Sequence, residues 1–324
     1  MNLSSCGCPR RCSAAASCSA NARARRPPAQ GLATIRSGRF GGSWSRCIGR
    51  LSILRGCTVI APADSSGTAA KVALVTGASG GIGSAIAQEL ARAGYLVVLS
   101  ARRVEVLQRV AARIRADGGR AHVAPCDATD VAAVRAMVDD VFARFARLDV
   151  LVASAGVYLR RSATEVVRVD VEQMLAANFW SAFELVSAAL PRLIEQRRGQ
   201  IVFINSFDAR KGLRQDCPYV VAKAALAGYA ATLRQAVRGA GLHVCSVFPG
   251  RVDTPMIDDL EVPAISAKIP PERVARAVMR ALRRRRSEVC VPFHIKALQW
   301  ADVLSPRLGD WLVRKLGLDG RRVP

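Results

Sequence analysis

Tyr219 and Lys223 stand four positions apart in "DCPYVVAKAAL", residues 216–226, at the head of an alanine-rich run of helical character. On a helix, positions i and i+4 share a face, so the phenol and the ammonium would point the same way. A phenol titrates near about 10, and an adjacent ammonium favours the phenolate, bringing proton exchange closer to neutral pH. The pair therefore reads as a candidate acid/base unit. A surface tyrosine beside a solvated lysine would look the same in isolation, so the decision rests on what else the chain places near them.

The elements that must position the pair follow a regular rhythm from Lys71 onward. "KVALVT", "YLVVLSA", "AHVAPC", "LDVLVAS", "GQIVFINS", "LHVCSVF" and "EVCVPF" are short apolar runs. Between them lie a helix expected from about Ser84 to Ala93 and segments of helical period at 103–116, 130–146, 170–197, 218–239 and 271–285. Buried parallel strands read as continuous apolar runs, and their alternation with helices implies right-handed crossovers. The expected fold class is α/β, one doubly wound parallel sheet of about seven strands with helices on both faces.

"TGASGGIG", residues 76–83, follows the first strand and opens the first helix. Small residues there let the backbone approach a pyrophosphate, and free amides at the helix N-terminus supply donors and a favourable dipole. Gly77, Ser79, Gly81, Ile82 and Gly83 are the expected phosphate cradle. A glycine-rich turn can also be only a tight turn.

The spacing of Gly77, Gly81 and Gly83 resembles that of the short-chain dehydrogenase/reductase family, and four further stretches from 71 to 290 carry the resemblance in the family's order. "PCDATD" resembles the segment that holds the adenine, with Asp127 as acceptor. "NFWSAF" places Asn178 on a central helix, "IVFINS" ends in Ser206 thirteen residues before Tyr219, and "FPGRVDTP" resembles the turn that meets the nicotinamide through Pro249, Gly250 and Thr254. The resemblance implies a Rossmann-type fold and an oxidoreductase with Asn178, Ser206, Tyr219 and Lys223 as the catalytic set. Ser206 is expected to hold the carbonyl oxygen, Tyr219 to exchange the proton, and Lys223 to lower the Tyr219 pKa and bind the nicotinamide ribose. Asn178 is expected to hold a relay water. One departure is "ASAG": Ala153 replaces an asparagine that in many relatives ties neighbouring strands.

Cofactor choice is read from "VVLSARR". An acid at the end of the second strand would bind the ribose 2′-hydroxyl of NAD and repel the 2′-phosphate of NADP. Ala101 takes that place and Arg102 follows, so NADP(H) is expected over NAD(H). The other reading of Arg102 is a charge on a solvated helix face. No metal site is expected. Two competing functions remain beside the NADP-dependent reductase: a dinucleotide-binding sensor or scaffold, which would need no proton relay, and an NAD-dependent alcohol dehydrogenase of the same family. A nucleotide-sugar epimerase or dehydratase is not supported, since such relatives usually have a different glycine spacing and a longer substrate domain.

The formal charge is +23, and residues 1–70 contribute ten arginines against the single acid Asp64. No basic stripe with interleaved aromatics accompanies it, so nucleic acid is not an expected partner. Six of the ten cysteines fall in residues 1–57 without zinc spacing or the apolar core of a signal peptide. Residues 1–70 are expected to be disordered, either a transit-like segment or a start read too early, which leaves a cytoplasmic protein with organelle import as the alternative. Residues 71–292 are the expected catalytic domain and 293–324 a helical tail, its Leu, Trp and Val at helical spacing. The tail is expected to pack over the substrate end, with membrane contact through Trp300 and Trp311 as the alternative; homo-oligomerisation is left open. "VYLRR" (157–161), "FDARKGLRQDC" (207–217) and 256–269 are expected to line the pocket. They mix Tyr158, Phe207 and Ile257 with Asp208, Arg210 and Lys211, which suits a mid-sized carbonyl or alcohol with an apolar body.

Overall fold

In the computed structural model, residues 70–322 are described, and the expectations for residues 1–69 lie outside them. Seven strands form one parallel sheet: β1 (Val72–Thr76), β2 (Leu96–Ser100), β3 (Arg120–Val123), β4 (Val150–Ala153), β5 (Gly199–Ile204), β6 (Leu242–Pro249) and β7 (Glu288–Val291). Their order is β3-β2-β1-β4-β5-β6-β7. The chain turns back at β1 and β4, and ligands of such sheets bind beyond the strand ends at that point.

Both faces of the sheet are covered because successive side chains point to opposite sides. Ala73 and Val75 of β1 pack with helices α1 (Gly81–Arg92), α2 (Val104–Ala116) and α7 (Pro271–Arg284). Val72 and Leu74 face α3 (Val131–Phe145), α5 (Ser181–Gln196) and α6 (Cys217–Ala236). Every residue of β1, β2 and β4 is buried, which accounts for their apolar sequence up to the polar ends Thr76 and Ser100.

Three elements differ from the periodicity. The first helix begins at Gly81 rather than near Ser84. The segment expected as one helix over 170–197 is α4 (Arg168–Leu175) and α5 joined by a wider, π-helical turn, Ala176–Trp180. The tail is a pair of helices, α8 (Lys296–Leu304) and α9 (Pro306–Lys315), broken where Ser305 is extended ahead of Pro306. The last turn returns to the domain through an antiparallel pairing of 260–261 with 321–322.

Thr76 supplies the tie that Ala153 lacks. Its Oγ1 donates to the carbonyl of Val152 at 3.3 Å and accepts from the amides of Ser154 at 3.2 Å and Ala155 at 3.4 Å. The ends of β1 and β4 are thus locked at the turn-back point of the sheet.

Candidate active site

The glycine turn is built by contacts that a side chain would break. Gly77 has φ +65°, and a Cβ there would lie 2.7 Å from the Ser154 carbonyl oxygen. A Cβ on Gly83 would press into the Gly77 carbonyl. Helix α1 opens with no side-chain cap and no acid in its first turn. Its N-terminal end therefore lacks an internal competitor for an anion. Thr254 leans on this turn, its Cγ2 within 2.7 Å of where a Gly81 Cβ would be. These residues fit the pyrophosphate of a dinucleotide.

Arg102 lies at the end of β2 with Nη1 3.8 Å from Asp127, both largely exposed. Asp127 accepts from the amide and hydroxyl of Thr129, and those bonds hold its carboxyl below the usual range. The guanidinium that reaches the glycine turn is that of Arg103, which the sequence did not single out. Its Nη2 donates to the Ser79 carbonyl at 2.9 Å. Two cations thus flank the place where an acid would select against a phosphate.

Beyond the ends of β5 and β6, a cavity of about 330 Å³ brings Ile82, Asn205, Ser206, Tyr219, Pro249 and Gly250 together with Thr254. Tyr219 sits in the first turn of α6, where Pro218 follows Cys217 and helps to start the helix. Its ring meets Tyr158 edge-on with centroids 5.0 Å apart. Burial, and next the charge of Asp208, raise the Tyr219 pKa, while a hydrogen bond with Ser206 opposes them. Lys223 Nζ is 5.7 Å from the ring centroid and donates to the Ile204 carbonyl at 3.1 Å. Burial depresses its own pKa to about 8, against the charge of Asp208, which raises it.

Asn178 is buried in the π-helical turn. Its Nδ2 donates to the carbonyls of Val157 and Met174, while Oδ1 has no partner. A Cβ on Gly156 would lie against that oxygen and 3.7 Å from Lys223 Nζ, so both groups border the same small space.

Asp208 is the main group that sequence reasoning placed only in the pocket wall. Its Oδ2 accepts from Ser206 Oγ at 3.0 Å, and its amide donates back to the same hydroxyl at 3.2 Å. Burial and then Asp216 push its carboxyl up to about 6, against Arg251, Ser206 and Arg160. An ionised Asp208 accepts the hydrogen bond of the Ser206 hydroxyl, which is then left to others only as an acceptor; a protonated Asp208 can itself donate and frees the hydroxyl hydrogen for another partner.

Tyr158, Phe207, Lys211 and Ile257 line the cavity as expected. Arg210 does not: its guanidinium covers the Phe248 ring at 4.2 Å and pairs with Glu288. Lys211 adds little charge to the pocket because its Nζ is held by Asp302 at 2.6 Å and Asp310 at 2.7 Å. Those acids belong to α8 and α9, which roof the cavity with Leu298, Leu312 and Leu316. Arg160 and Arg251 hold the last turn by donating to the carbonyls of Asp319 and Leu318.

A family model described as short chain dehydrogenase matches residues 71–263. A fatty acyl-CoA reductase of Acinetobacter baylyi is 35% identical over 217 residues, 66% of this chain and 74% of that protein. Two solved structures share the fold. A variant of actinorhodin polyketide ketoreductase with NADPH has a TM-score of 0.64 at 28% identity, over 68% of this chain and 95% of the other. A metagenomic short-chain oxidoreductase in complex with NADP has a TM-score of 0.60 at 32% identity, over 68% and 96%.

Proposed function

The chain belongs to the short-chain dehydrogenase/reductase family of NAD(P)-dependent oxidoreductases, and we propose that it interconverts a carbonyl and a secondary alcohol on a mid-sized, largely apolar substrate, with NADP(H) as cofactor. The observation that carries this reading is the apolar cavity ending on Ser206 and Tyr219 beside the glycine turn. A ketone carried on an acyl chain suits that cavity, since its reduction gives a secondary alcohol with no leaving group, in keeping with the ketoreductase among the similar structures.

When bound, the nicotinamide dinucleotide supplies a hydride to the substrate carbon or accepts one from it. Gly77, Ser79, Gly81, Ile82 and Gly83 would hold its pyrophosphate, Asp127 the adenine end, and Pro249, Gly250 and Thr254 the nicotinamide end. Ser206 and Tyr219 would bind the substrate oxygen. In the reducing direction Tyr219 gives that oxygen its proton, a task for which a phenol kept protonated by burial is suited. Lys223, titrating near about 8, passes the replacement proton, and the unpartnered Asn178 Oδ1 supports a water between it and solvent. Arg102 and Arg103 together support NADP(H), since a planar cation pairs with a phosphate where Ala101 cannot repel it.

The test is a panel of ketones, aldehydes and acyl thioesters offered with NADPH and with NADH, read by loss of cofactor absorbance. NADPH oxidation with apolar carbonyls supports the reading. In the Tyr219→Phe variant turnover should fall by about a thousandfold with cofactor binding retained. Tight NADPH binding without turnover on any carbonyl would favour the sensor instead.

A further inference from the structure

Six large apolar side chains stand out of the surface within one stretch of the tail: Phe293, Trp300, Val303, Leu304, Leu308 and Trp311, each at least 41% exposed. Scattered exposed apolar residues are ordinary in folded proteins, but a concentration of this kind is not. Helical spacing puts Trp300, Val303 and Leu304 on one side of α8, and Leu308 and Trp311 on one side of α9. The opposite side of α8 supplies Leu298 to the cavity roof, and the side of α9 opposite Leu308 and Trp311 carries the buried Val313. The outward row is therefore additional to the core-facing row.

The charge around this row is of one sign. Arg307, Arg314 and Lys315 are exposed and recur beside Leu308 and Trp311 on α9, and Lys296 lies over the Phe293 ring at 5.6 Å. None of these four cations lies within 4 Å of a carboxylate among the described residues; Asp302 and Asp310, the two acids of the tail helices, bond Lys211, and Arg314 attracts Asp310 only at longer range, from the side of α9 away from Leu308. The face is thus aromatic, apolar and positive. Indole rings suit the boundary between headgroups and acyl chains, and lysine or arginine beside them is drawn to anionic headgroups. A second copy of the chain is a poor occupant, because a twofold contact would set this positive face against itself.

We propose that the outward face of α8 and α9 docks on an anionic phospholipid bilayer, with the helices lying in the interface. No helix among the described residues is long and apolar enough to cross a membrane, so the contact is peripheral. Met256 and Ile265 line the cavity and are also about half exposed, so apolar surface continues to its mouth. If the function proposed above holds, a lipid-borne carbonyl enters the cavity at the docked face; the docking itself does not depend on the reaction.

The full chain is sedimented with vesicles of phosphatidylcholine alone and with vesicles containing about one-third phosphatidylglycerol. Binding to the mixed vesicles only, released by added salt, is the expected result. Trp300→Ser with Trp311→Ser, and separately Arg314→Gln with Lys315→Gln, should each weaken partitioning roughly tenfold with the melting temperature retained. Should either pair fail to fold, a Trp44→Phe/Trp180→Phe protein keeps only Trp300 and Trp311 as fluorophores, and brominated lipid should quench them. Absence of binding, or absence of quenching, overturns the proposal. So does binding unchanged in both pairs, which would assign it to another part of the chain. A concentration-dependent dimer that the tryptophan variants dissolve, without vesicle binding, would identify a second copy as the occupant and also overturn it. Because turnover is not measured, none of these outcomes bears on the reaction.

Discussion

The proposed cofactor end and the proposed substrate roof of this molecule are built by different physics. At the cofactor end the backbone defines the site: a left-handed Gly77, a Gly83 pressed against a carbonyl, and an uncapped helix start. At the roof, side-chain charges define it. Lys211 holds α8 and α9 through Asp302 and Asp310, and Arg160 and Arg251 hold the turn that follows. The first construction tolerates almost no change of residue type. The second tolerates substitution of the exposed acids better than of the buried Lys211, which would be left desolvated without them.

The sharpest way to break the cofactor end is Gly77→Val. A β-branched residue at φ +65°, against the Ser154 carbonyl, should reduce affinity for either dinucleotide by at least about a hundredfold. Isothermal titration of both cofactors checks this; retained affinity would show that the turn is not the cradle. Arg102→Ala should lower the preference for NADPH over NADH by about tenfold, the lower end for a charge-assisted contact because this side chain is largely exposed and screened. Fluorescence titration at fixed salt reads the ratio, and an equal loss for both cofactors would reduce Arg102 to a helix-face charge.

At the roof, Lys211→Ala should leave cofactor affinity unchanged and raise KM severalfold, with faster proteolysis in 293–322. The loss of stability should be small, because Asp310 is largely exposed and its pairing is screened by solvent. A cofactor affinity that fell with KM would mean the two regions are not separable.

The smallest effect lies where the regions meet, at Asp208. Its carboxyl titrates near about 6 in the folded protein. Below that value Ser206 is free to donate to a carbonyl, and above it the hydroxyl donates to the carboxylate. The reductive kcat/KM should therefore decline by a few fold as pH rises through about 6, and Asp208→Asn should remove that inflection. The stability sign agrees. A carboxyl whose pKa is raised on folding contributes most below its unfolded value and loses that contribution as pH rises through about 6. The Asn variant should therefore gain thermal stability relative to the parent above that pH, read as melting temperature across the range.

The cofactor end was legible in the sequence to the same degree that it is made of backbone. Gly77, Gly81 and Gly83 must be small at fixed spacing, and Tyr219 and Lys223 share a helix whose period places them together. Ser206 lies two residues beyond the buried end of β5. Helix starts and breaks were less legible: the π-helical turn around Asn178 carries no periodicity of its own, and Gly81 opens α1 earlier than apolar spacing indicates.

What the sequence by itself determined is the order of strands and helices, because burial on both faces of a parallel sheet and the 3.6-residue helical period are local patterns. It also determined which small residues a phosphate turn requires. Tertiary structure alone decided what the charges do. Lys211 meets Asp302 and Asp310 across 91 and 99 residues, and Arg160 meets Asp319 across 159, separations at which no spacing rule applies. Arg210 and Lys211 are adjacent, yet one covers Phe248 and the other enters the cavity wall. The titration of Asp208 and Tyr219 was likewise set by the fold, because a pKa depends on the solvent and charges around a group, and those are fixed only when distant segments close over it.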